Sequence, residues 1–321
     1  MSLRGRYVID RIKQAISHRF TLPVPPYGDP HYWDAAYQSF GPQDSLEWGD
    51  ITYSDLKTYG YRSLQKLQNV TTNEYYAPMD SPAQSSSLVE TLLGGRSVGG
   101  DDDDDESDGQ PKQKQKQKQQ PVLMLGCGNS RLGEEMVTDK DNLWKGYPIV
   151  QTDVSARVVD SMSQRCASLV TQGTMTFVQD DATELSAFRS DTMVACLDKG
   201  LVDAIYCSDD FDQCTSILAS VHRVLQPGGI LVVLSFSSPE FFLSKILGTE
   251  IPPKQQQQQR QHAMVDWRTR RNRELMVWES IEVQQLDKIL LYRFQKPQKA
   301  TTSVASIRKK QKGKHRKARK S

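Results

Sequence analysis

The sequence lacks the residue patterns that bind zinc or build a disulfide framework. Its five cysteines are an odd set with no CxxC pair and no histidine partner at metal-ligand spacing. The five histidines are scattered along the chain, and no Ser-His-Asp arrangement is evident. We therefore expect no metal site, and the cysteine usage favours a reducing compartment.

Long apolar runs are missing as well. No run approaches the ~20 residues needed to span a bilayer, and no signal-peptide core follows the N-terminus. We expect a protein without a membrane partner that resides in the cytoplasm, with the nucleus as an alternative. The first twenty residues carry five basic residues and one acidic residue, so an organellar transit peptide is a further alternative.

The overall charge balance hides two opposed blocks. Lys and Arg number 41 against 39 Asp and Glu, a formal net charge of +2. Residues 308–320 hold nine Lys or Arg and no acid, whereas residues 101–108 hold seven acids and no base. The rest of the chain is near neutral, which argues against a body built mainly to grip nucleic acid. We assign any contact with ribosomes or RNA to the basic tail, with a merely solvated tail as the alternative.

Composition divides the chain into four segments. Residues 80–120 are dominated by Ser, Gly, Asp, Lys and Gln, which cannot bury enough apolar surface to offset the entropy of ordering. Apolar spacing predicts one helix over Tyr7–Phe20 and another from Ser54 to about Leu67. We predict a helical, aromatic lid region over 1–79, a disordered insertion over 80–120, a core domain over 121–297 and a basic disordered tail over 298–321.

Within the core, short apolar runs alternate with helical stretches, which indicates a parallel α/β sheet. The predicted strands are Val122–Leu125, Ile149–Thr152, Met175–Val178, Met193–Leu197 and Ile230–Phe236. The predicted helices are Val158–Val170 and Phe211–Leu225. Two last β-like runs, Leu275–Val283 and Lys288–Phe294, predict an antiparallel hairpin that closes the sheet.

A glycine turn after the first core strand is the sharpest local signal. Gly126 and Gly128 follow Val122–Leu125, at the sheet edge where open α/β proteins bind ligands, and glycine permits close approach of a ligand to the backbone. A dinucleotide dehydrogenase favours a third glycine where Arg131 stands. The turn by itself is weak evidence, but it disfavours a dinucleotide.

Acidic residues follow the next two strands. Asp153 ends the second strand, where a carboxylate can accept hydrogen bonds from both ribose hydroxyls of a nucleoside. Asp181 follows the third strand, where a carboxylate can accept a hydrogen bond from an adenine amino group. Helix capping is the alternative role for each. With the sequence Leu-Asp-Lys-Gly (197–200) after the fourth strand, the strand ends trace one continuous nucleoside pocket.

This order of motifs resembles the class I S-adenosylmethionine-dependent methyltransferases. More narrowly, the chain is similar to the methyltransferase-like branch that contains lysine methyltransferases of eukaryotic translation elongation factor 1-alpha. The similarity covers roughly residues 30–67 and 121–297, and its phrases are YWD (32–34), LEW (46–48), LGCGNS (125–130), DKG (198–200) and RVLQPGG (223–229). It implies a Rossmann-like three-layer α/β sandwich with a mostly parallel seven-stranded sheet and a C-terminal antiparallel hairpin.

The resemblance also implies where S-adenosyl-L-methionine binds. The glycine turn would pass its methionine end, the second strand end would hold its ribose, and the third would border its adenine. In this branch the N-terminal aromatic phrase folds over the cofactor, where aromatic rings can attract a cation. The predicted cofactor-binding residues are Trp33, Tyr37, Trp48, Gly126, Gly128, Asp153, Val154, Asp181, Ala182 and Lys199.

The resulting hypothesis is a protein-lysine N-methyltransferase that acts on a folded protein substrate, with elongation factor 1-alpha the first candidate. A lysine amine has a reference pKa of about 10.4, so it must lose its proton before it attacks. We predict Asp198 as the catalytic acceptor of that proton, with a structural role as the alternative. The competing functions are methylation of RNA or a small molecule, and an inactive cofactor-binding scaffold. No Asn-Pro-Pro-Tyr motif follows the fourth strand, which disfavours a nucleobase amine as substrate.

Overall fold

A computed structural model describes residues 25–58, 60–68, 84–85, 120–141, 144–208, 210–247, 276–286 and 289–298. The helix predicted over Tyr7–Phe20, nearly all of the insertion predicted over 80–120, and the basic tail beyond 298 lie outside these residues. The division into four segments therefore stays a prediction.

Nine strands of the described residues form one sheet, in the order β2-β1-β8-β9-β7-β6-β3-β4-β5. The strands are β1 (Gly60–Gln68), β2 (Gln84–Ser85), β3 (Val122–Leu125), β4 (Ile149–Asp153), β5 (Met175–Gln179), β6 (Met193–Lys199), β7 (Leu225–Ser235), β8 (Ser280–Leu286) and β9 (Ile289–Gln295). Strands β3 to β7 pair in parallel, and β8 and β9 form the C-terminal antiparallel hairpin beside β7. The seven strands β3 to β9 confirm the predicted mostly parallel seven-stranded sheet, and β1 and β2 extend it beside β8.

Helices flank both faces of the sheet. They are α1 (Pro30–Ala36), α2 (Tyr53–Thr58), α3 (Leu132–Val137), α4 (Ala156–Arg165), α5 (Ala167–Thr171), α6 (Leu201–Cys207), α7 (Phe211–Val224) and α8 (Pro239–Phe241), which continues into a π-helical turn over Phe242–Ile246. Successive side chains of β3 point to opposite faces of the sheet and join two apolar clusters. Leu123 and Leu125 belong to the cluster that contains residues of α6 and α7. Val122 and Met124 belong to the cluster that contains residues of α2 and α3. The result is the expected three-layer α/β sandwich.

The helix predicted from Ser54 to about Leu67 is wrong in its second half. The helix α2 ends at Thr58, and β1 begins at Gly60 and pairs antiparallel with β8. Glycine costs about 1 kcal/mol inside a helix relative to alanine, whereas pairing with β8 satisfies a row of backbone groups at the sheet edge. Tertiary pairing therefore overrides the helical spacing of the leucines in this stretch.

The register brings the carboxyl ends of the parallel strands to one edge. Leu125 at the end of β3 pairs with Asp198 of β6, and Asp153 at the end of β4 pairs with Gln179 of β5. Each of the predicted strand-end motifs therefore opens on the same side of the molecule. Among the described helices, none combines the length and apolar character needed to cross a bilayer.

The fold makes a direct prediction about the centre of the sheet. Leu123 is fully buried in β3, so Leu123→Ala removes apolar contacts and leaves a cavity that the packed helices cannot close. We expect it to lower the free energy of unfolding by about 2–5 kcal/mol in denaturant titrations. Val170→Ala is the control, because Val170 is 38% exposed and its truncation should change stability by less than about 0.5 kcal/mol. Equal effects of the two changes would contradict this packing.

Candidate functional site

The glycine turn after β3 lies against other parts of the chain with no room for side chains. Gly126 and Gly128 adopt left-handed backbone angles, with φ of 52° and 51°. A β-carbon at Gly128 would lie 2.5 Å from the hydroxyl oxygen of Tyr37, and one at Gly126 would lie 3.1 Å from Leu201. Both glycines are therefore required by backbone conformation and by close approach.

Arg165 of α4 holds the far side of this turn. Its guanidinium donates to the carbonyl of Asn129 at 3.0 Å and to the carbonyl of Ser130 at 2.8 Å, and it pairs with Glu134 at 3.1 Å. The Arg165 side chain is only 2% exposed. A planar donor group with several fixed contacts makes this turn a rigid part of the site.

Asp153 lies beneath the glycine turn. Its carboxylate accepts a hydrogen bond from the Gly128 amide at 2.9 Å and another from the Ser155 amide at 3.0 Å. Burial raises the pKa of Asp153 to about 6, although these two amide donors oppose the rise. The hydroxyl of Ser155 in turn donates to Asp34 of α1, which ties the N-terminal segment to this strand end.

The end of β5 supplies a second acidic edge. Asp180 accepts from the amides of Asp181 and Ala187, each at 2.9 Å, and Asp181 accepts from the amide of Thr183 at 2.8 Å. These bonds fold the chain after β5 into a tight turn. Asp180, Asp181 and Ala182 face the same cavity as the glycine turn.

Aromatic side chains of the N-terminal segment form a wall of the cavity. The ring of Trp33 stacks between Tyr27 and Tyr37, with centroid distances of 5.6 Å and 6.0 Å. The Trp33 indole nitrogen donates to the Tyr27 carbonyl at 2.7 Å, which fixes its orientation. Burial raises the pKa of Tyr37 well above its usual value, so its hydroxyl stays neutral beside Gly128.

A second contact area centres on Glu47. Its carboxylate accepts from the amide of Arg131 and the hydroxyl of Ser130, each at 2.7 Å, and it forms an ion pair with Lys199 at the end of β6. Burial lowers the pKa of Lys199, while the charge of Glu47 opposes that effect. Next to Lys199, the Trp48 ring leaves no space for a β-carbon at Gly200, so Trp48 rests directly on the backbone of Gly200.

These elements enclose one cavity of about 660 Å³. All ten residues predicted to bind the cofactor line it: Trp33, Tyr37, Trp48, Gly126, Gly128, Asp153, Val154, Asp181, Ala182 and Lys199. The structure therefore brings the predicted set together around one space. Their contacts with a bound cofactor stay a prediction.

Asp198 is the predicted catalytic acceptor of the substrate proton, a role that stays a prediction, and it is not one of the described residues that line the cavity. It is fully buried, and its carboxylate accepts from the amides of Leu201 at 2.7 Å and Val202 at 3.1 Å, at the start of α6. Burial raises the pKa of Asp198 to about 7. These contacts favour the structural alternative, in which Asp198 anchors the first turn of the helix and does not accept the substrate proton.

Three residues in or beside the cavity were not predicted from the sequence. Glu47 lies beside the cavity through its pairing with Lys199, and no spacing in the sequence indicates that it pairs with a lysine 152 residues away. Gly28 and Gln213 line the cavity, and a β-carbon at Gly28 would lie 2.8 Å from the Gln213 side chain. Within the described ranges no cluster of three or more His, Cys, Asp or Glu side chains could hold a metal ion.

A family model described as "Methyltransferase domain" matches residues 116–304, which is more than half of the chain. The match contains all strands of the parallel sheet and the C-terminal hairpin. It begins after the N-terminal segment that carries the aromatic wall.

Curated relatives match a shorter part of the chain. A mouse protein named "eEF1A lysine and N-terminal methyltransferase" is 35% identical over 133 residues, which are 40% of this chain and 18% of the mouse protein. The human protein of the same name is 33% identical over 133 residues, with the same coverage of each chain. This chain thus spans less than a fifth of the length of these relatives.

Solved structures give a weaker likeness. A SAM-dependent methyltransferase from Methanosarcina mazei has a TM-score of 0.37 and 15% identity, covering 57% of this chain and 95% of the other. A geranyl diphosphate C-methyltransferase from Streptomyces coelicolor, solved with S-adenosyl-L-homocysteine, has a TM-score of 0.34 and 14% identity, covering 56% of this chain and 73% of the other. At these TM-scores the likeness adds nothing to the family match.

The environment of Asp153 predicts how ligand affinity depends on pH. An ionised carboxylate accepts ribose hydroxyls, and burial raises the pKa of Asp153 to about 6 in the free protein. Affinity for S-adenosylhomocysteine should therefore be full above pH 6 and fall as the pH drops through about 6, approaching tenfold per pH unit. Calorimetric titrations between pH 7 and pH 5 measure this, a range in which the ligand amino group stays protonated.

The control for this prediction is Asp153→Asn. The amide cannot ionise, so its affinity should be about 10- to 100-fold lower at pH 7 and nearly independent of pH over the same range. Wild-type affinity that stays constant down to pH 5, or that matches the variant at pH 7, would contradict the ribose-binding role.

Proposed function

Because this chain belongs to the methyltransferase domain family, whose methyl donor is S-adenosyl-L-methionine, we propose that it methylates the side-chain amine of lysine in a protein. The family match agrees with the motifs at the strand ends, which predicted this methyl donor as the cofactor. The names of the relatives, which act on eEF1A lysine and N-terminal residues, support the finer assignment of the substrate.

The residues at the cavity fit this cofactor. We assign the methionine chain of the cofactor to the bare backbone of the glycine turn, and its ribose hydroxyls to the buried Asp153 carboxylate. We assign the adenine to the end of β5, where Asp181 and Ala182 line the cavity. When bound, the cofactor supplies a methyl group that is already activated as a sulfonium.

The protein's own contribution is mainly positioning and exclusion of water. A sulfonium methyl group needs little covalent help, so holding the amine in line with the sulfur–carbon bond should account for most of the rate gain. The rings of Trp33, Tyr37 and Trp48 can attract a cationic donor or acceptor. An ammonium group that leaves water for the space between these rings loses hydration, which lowers its pKa and favours the neutral, nucleophilic amine, whereas nearby carboxylates oppose that shift.

The charge of the cavity supports a choice between a protein lysine and RNA as the substrate. Among the described residues that line it, the one basic side chain is Lys199, and Glu47 neutralises it. Five aspartates line the same cavity: Asp153, Asp180, Asp181, Asp210 and Asp212. Acidic and aromatic walls suit a lysine ammonium, whereas the phosphates of RNA would be repelled. This observation favours a protein substrate over a nucleic acid.

Elongation factor 1-alpha is the first candidate partner, in the form of the folded protein. Its support comes from the names of the relatives and from the resemblance of the aromatic and DKG phrases. Ribosome or RNA contact through the basic tail stays a prediction from the sequence alone.

The class of substrate is tested by labelling a cell extract with the enzyme and a radioactive methyl donor. We expect protease treatment to remove the label from the macromolecular fraction and ribonuclease treatment to leave it. A label that survives protease but vanishes with ribonuclease would contradict a protein substrate and support an RNA substrate. Absence of any label, together with normal cofactor binding, would favour the inactive scaffold.

The aromatic wall gives a second test. Trp33→Ala removes the middle ring of the stack, so we expect kcat/KM for the protein substrate to fall by about 10- to 100-fold through poorer positioning. Trp33→Phe keeps an aromatic ring and is the matched control, which should retain most of the activity. If both variants turn over at the wild-type rate, the wall has no part in the reaction.

A further inference from the structure

We propose that Lys199 and Glu47 form a latch that fixes residues 46–51 across the methyl-transfer end of the cavity. This segment, here called the strap, contains Leu46 and Trp48 of the cavity wall. In this assignment Lys199 is a positioning residue that acts through the strap, and it is not a direct ligand of the cofactor. The inference rests on the proposed function and gives this part of the site a role in it.

The strap is attached to the glycine turn at its first residues. The Leu46 amide donates to the Asn129 side chain at 3.0 Å, and both oxygens of the Glu47 carboxylate are engaged by the next residues of the turn. Ser130 and Arg131 follow Gly128 in the chain after Asn129. The strap therefore lies over the end of the cavity where the methionine part of the cofactor would pass.

Lys199 attaches the strap to the end of β6 at two points. Its ammonium pairs with Glu47 and also donates to the carbonyl of Ile51 at 3.1 Å. Between these points Trp48 rests on Gly200, the residue after Lys199. One side chain thus holds both ends of a five-residue span and fixes the indole between them.

Both members of the pair are largely buried, so the loss of either one is costly. The side chains of Lys199 and Glu47 are 7% and 16% exposed, and removal of one partner from a buried ion pair leaves an uncompensated charge. An unpaired ammonium at this end would also repel a sulfonium donor and an incoming lysine. Pairing with Glu47 therefore allows a lysine to lie in a cavity that receives cations.

A double-mutant cycle tests the latch. Lys199→Met, Glu47→Gln and the double variant are compared by kcat, by KM for the acceptor and by calorimetric affinity for S-adenosylhomocysteine. We expect each single variant to lower kcat by about 10- to 100-fold, and the double variant to be no worse than the worse single one. Because the strap carries Trp48, cofactor affinity should also fall, but by less than about threefold, a split between kcat and binding that general loss of stability would not give.

Lys296→Met is the matched control. Lys296 makes the same kinds of contact, an ion pair with Asp191 at 2.7 Å and a hydrogen bond to the Leu225 carbonyl at 2.6 Å, but it lies away from the cavity. It should leave kcat within about twofold. Glu47→Gln keeps one acceptor oxygen for the Arg131 amide, and its amide nitrogen can donate to the Ser130 hydroxyl, so it provides a folded variant if Lys199→Met does not fold.

Hydrogen exchange gives a readout that needs no acceptor. Amide exchange over 46–51 should speed up in both single variants and stay unchanged in Lys296→Met. Unchanged exchange in the strap, additive effects on kcat, or a loss of cofactor affinity as large as the loss of kcat would each overturn the latch. Failure of the wild type to methylate lysine would instead overturn the proposed function, because strap exchange and cofactor affinity are measured without a substrate.

Discussion

The carboxylate of Glu47 is the contact on which the rest of the site depends. It joins three parts of the chain that are far apart in sequence: the N-terminal segment, the turn after β3 at Ser130 and Arg131, and the end of β6 at Lys199. The parallel sheet alone presents a row of strand ends open to solvent. With Glu47 in place, the aromatic segment becomes the remaining wall, and the strand ends become the floor of an enclosed cavity.

An enclosed cavity suits the proposed reaction, which requires little acid–base catalysis from the residues that line it. Transfer of an activated methyl group depends on alignment and on exclusion of water more than on covalent assistance. The walls accordingly combine fixed backbone at the glycine turn, stacked rings at Trp33 and Tyr37, and carboxylates that favour cations. Asp198, the most buried of the strand-end acids, serves the start of α6.

Strand order predicted the residues at the strand ends, whereas the aromatic wall was predicted only through the family resemblance. Residues such as Gly128, Asp153 and Asp181 could be placed because parallel strands end at a common edge, so strand position alone brings them together. Glu47 could not, because its pairing with Lys199 depends on how a distant segment folds back. The strand β1 was missed for a similar reason: pairing with β8 decides its conformation, whereas its own leucines follow a helical spacing.

The most direct test of the account is to locate the methyl group on a purified acceptor. Elongation factor 1-alpha would be incubated with the enzyme and S-adenosylmethionine, digested, and sequenced by tandem mass spectrometry. The account predicts added methyl mass on a lysine side chain, absent when the donor is omitted. Methylation confined to the N-terminal α-amine, or an unmodified protein beside labelled RNA, would contradict it.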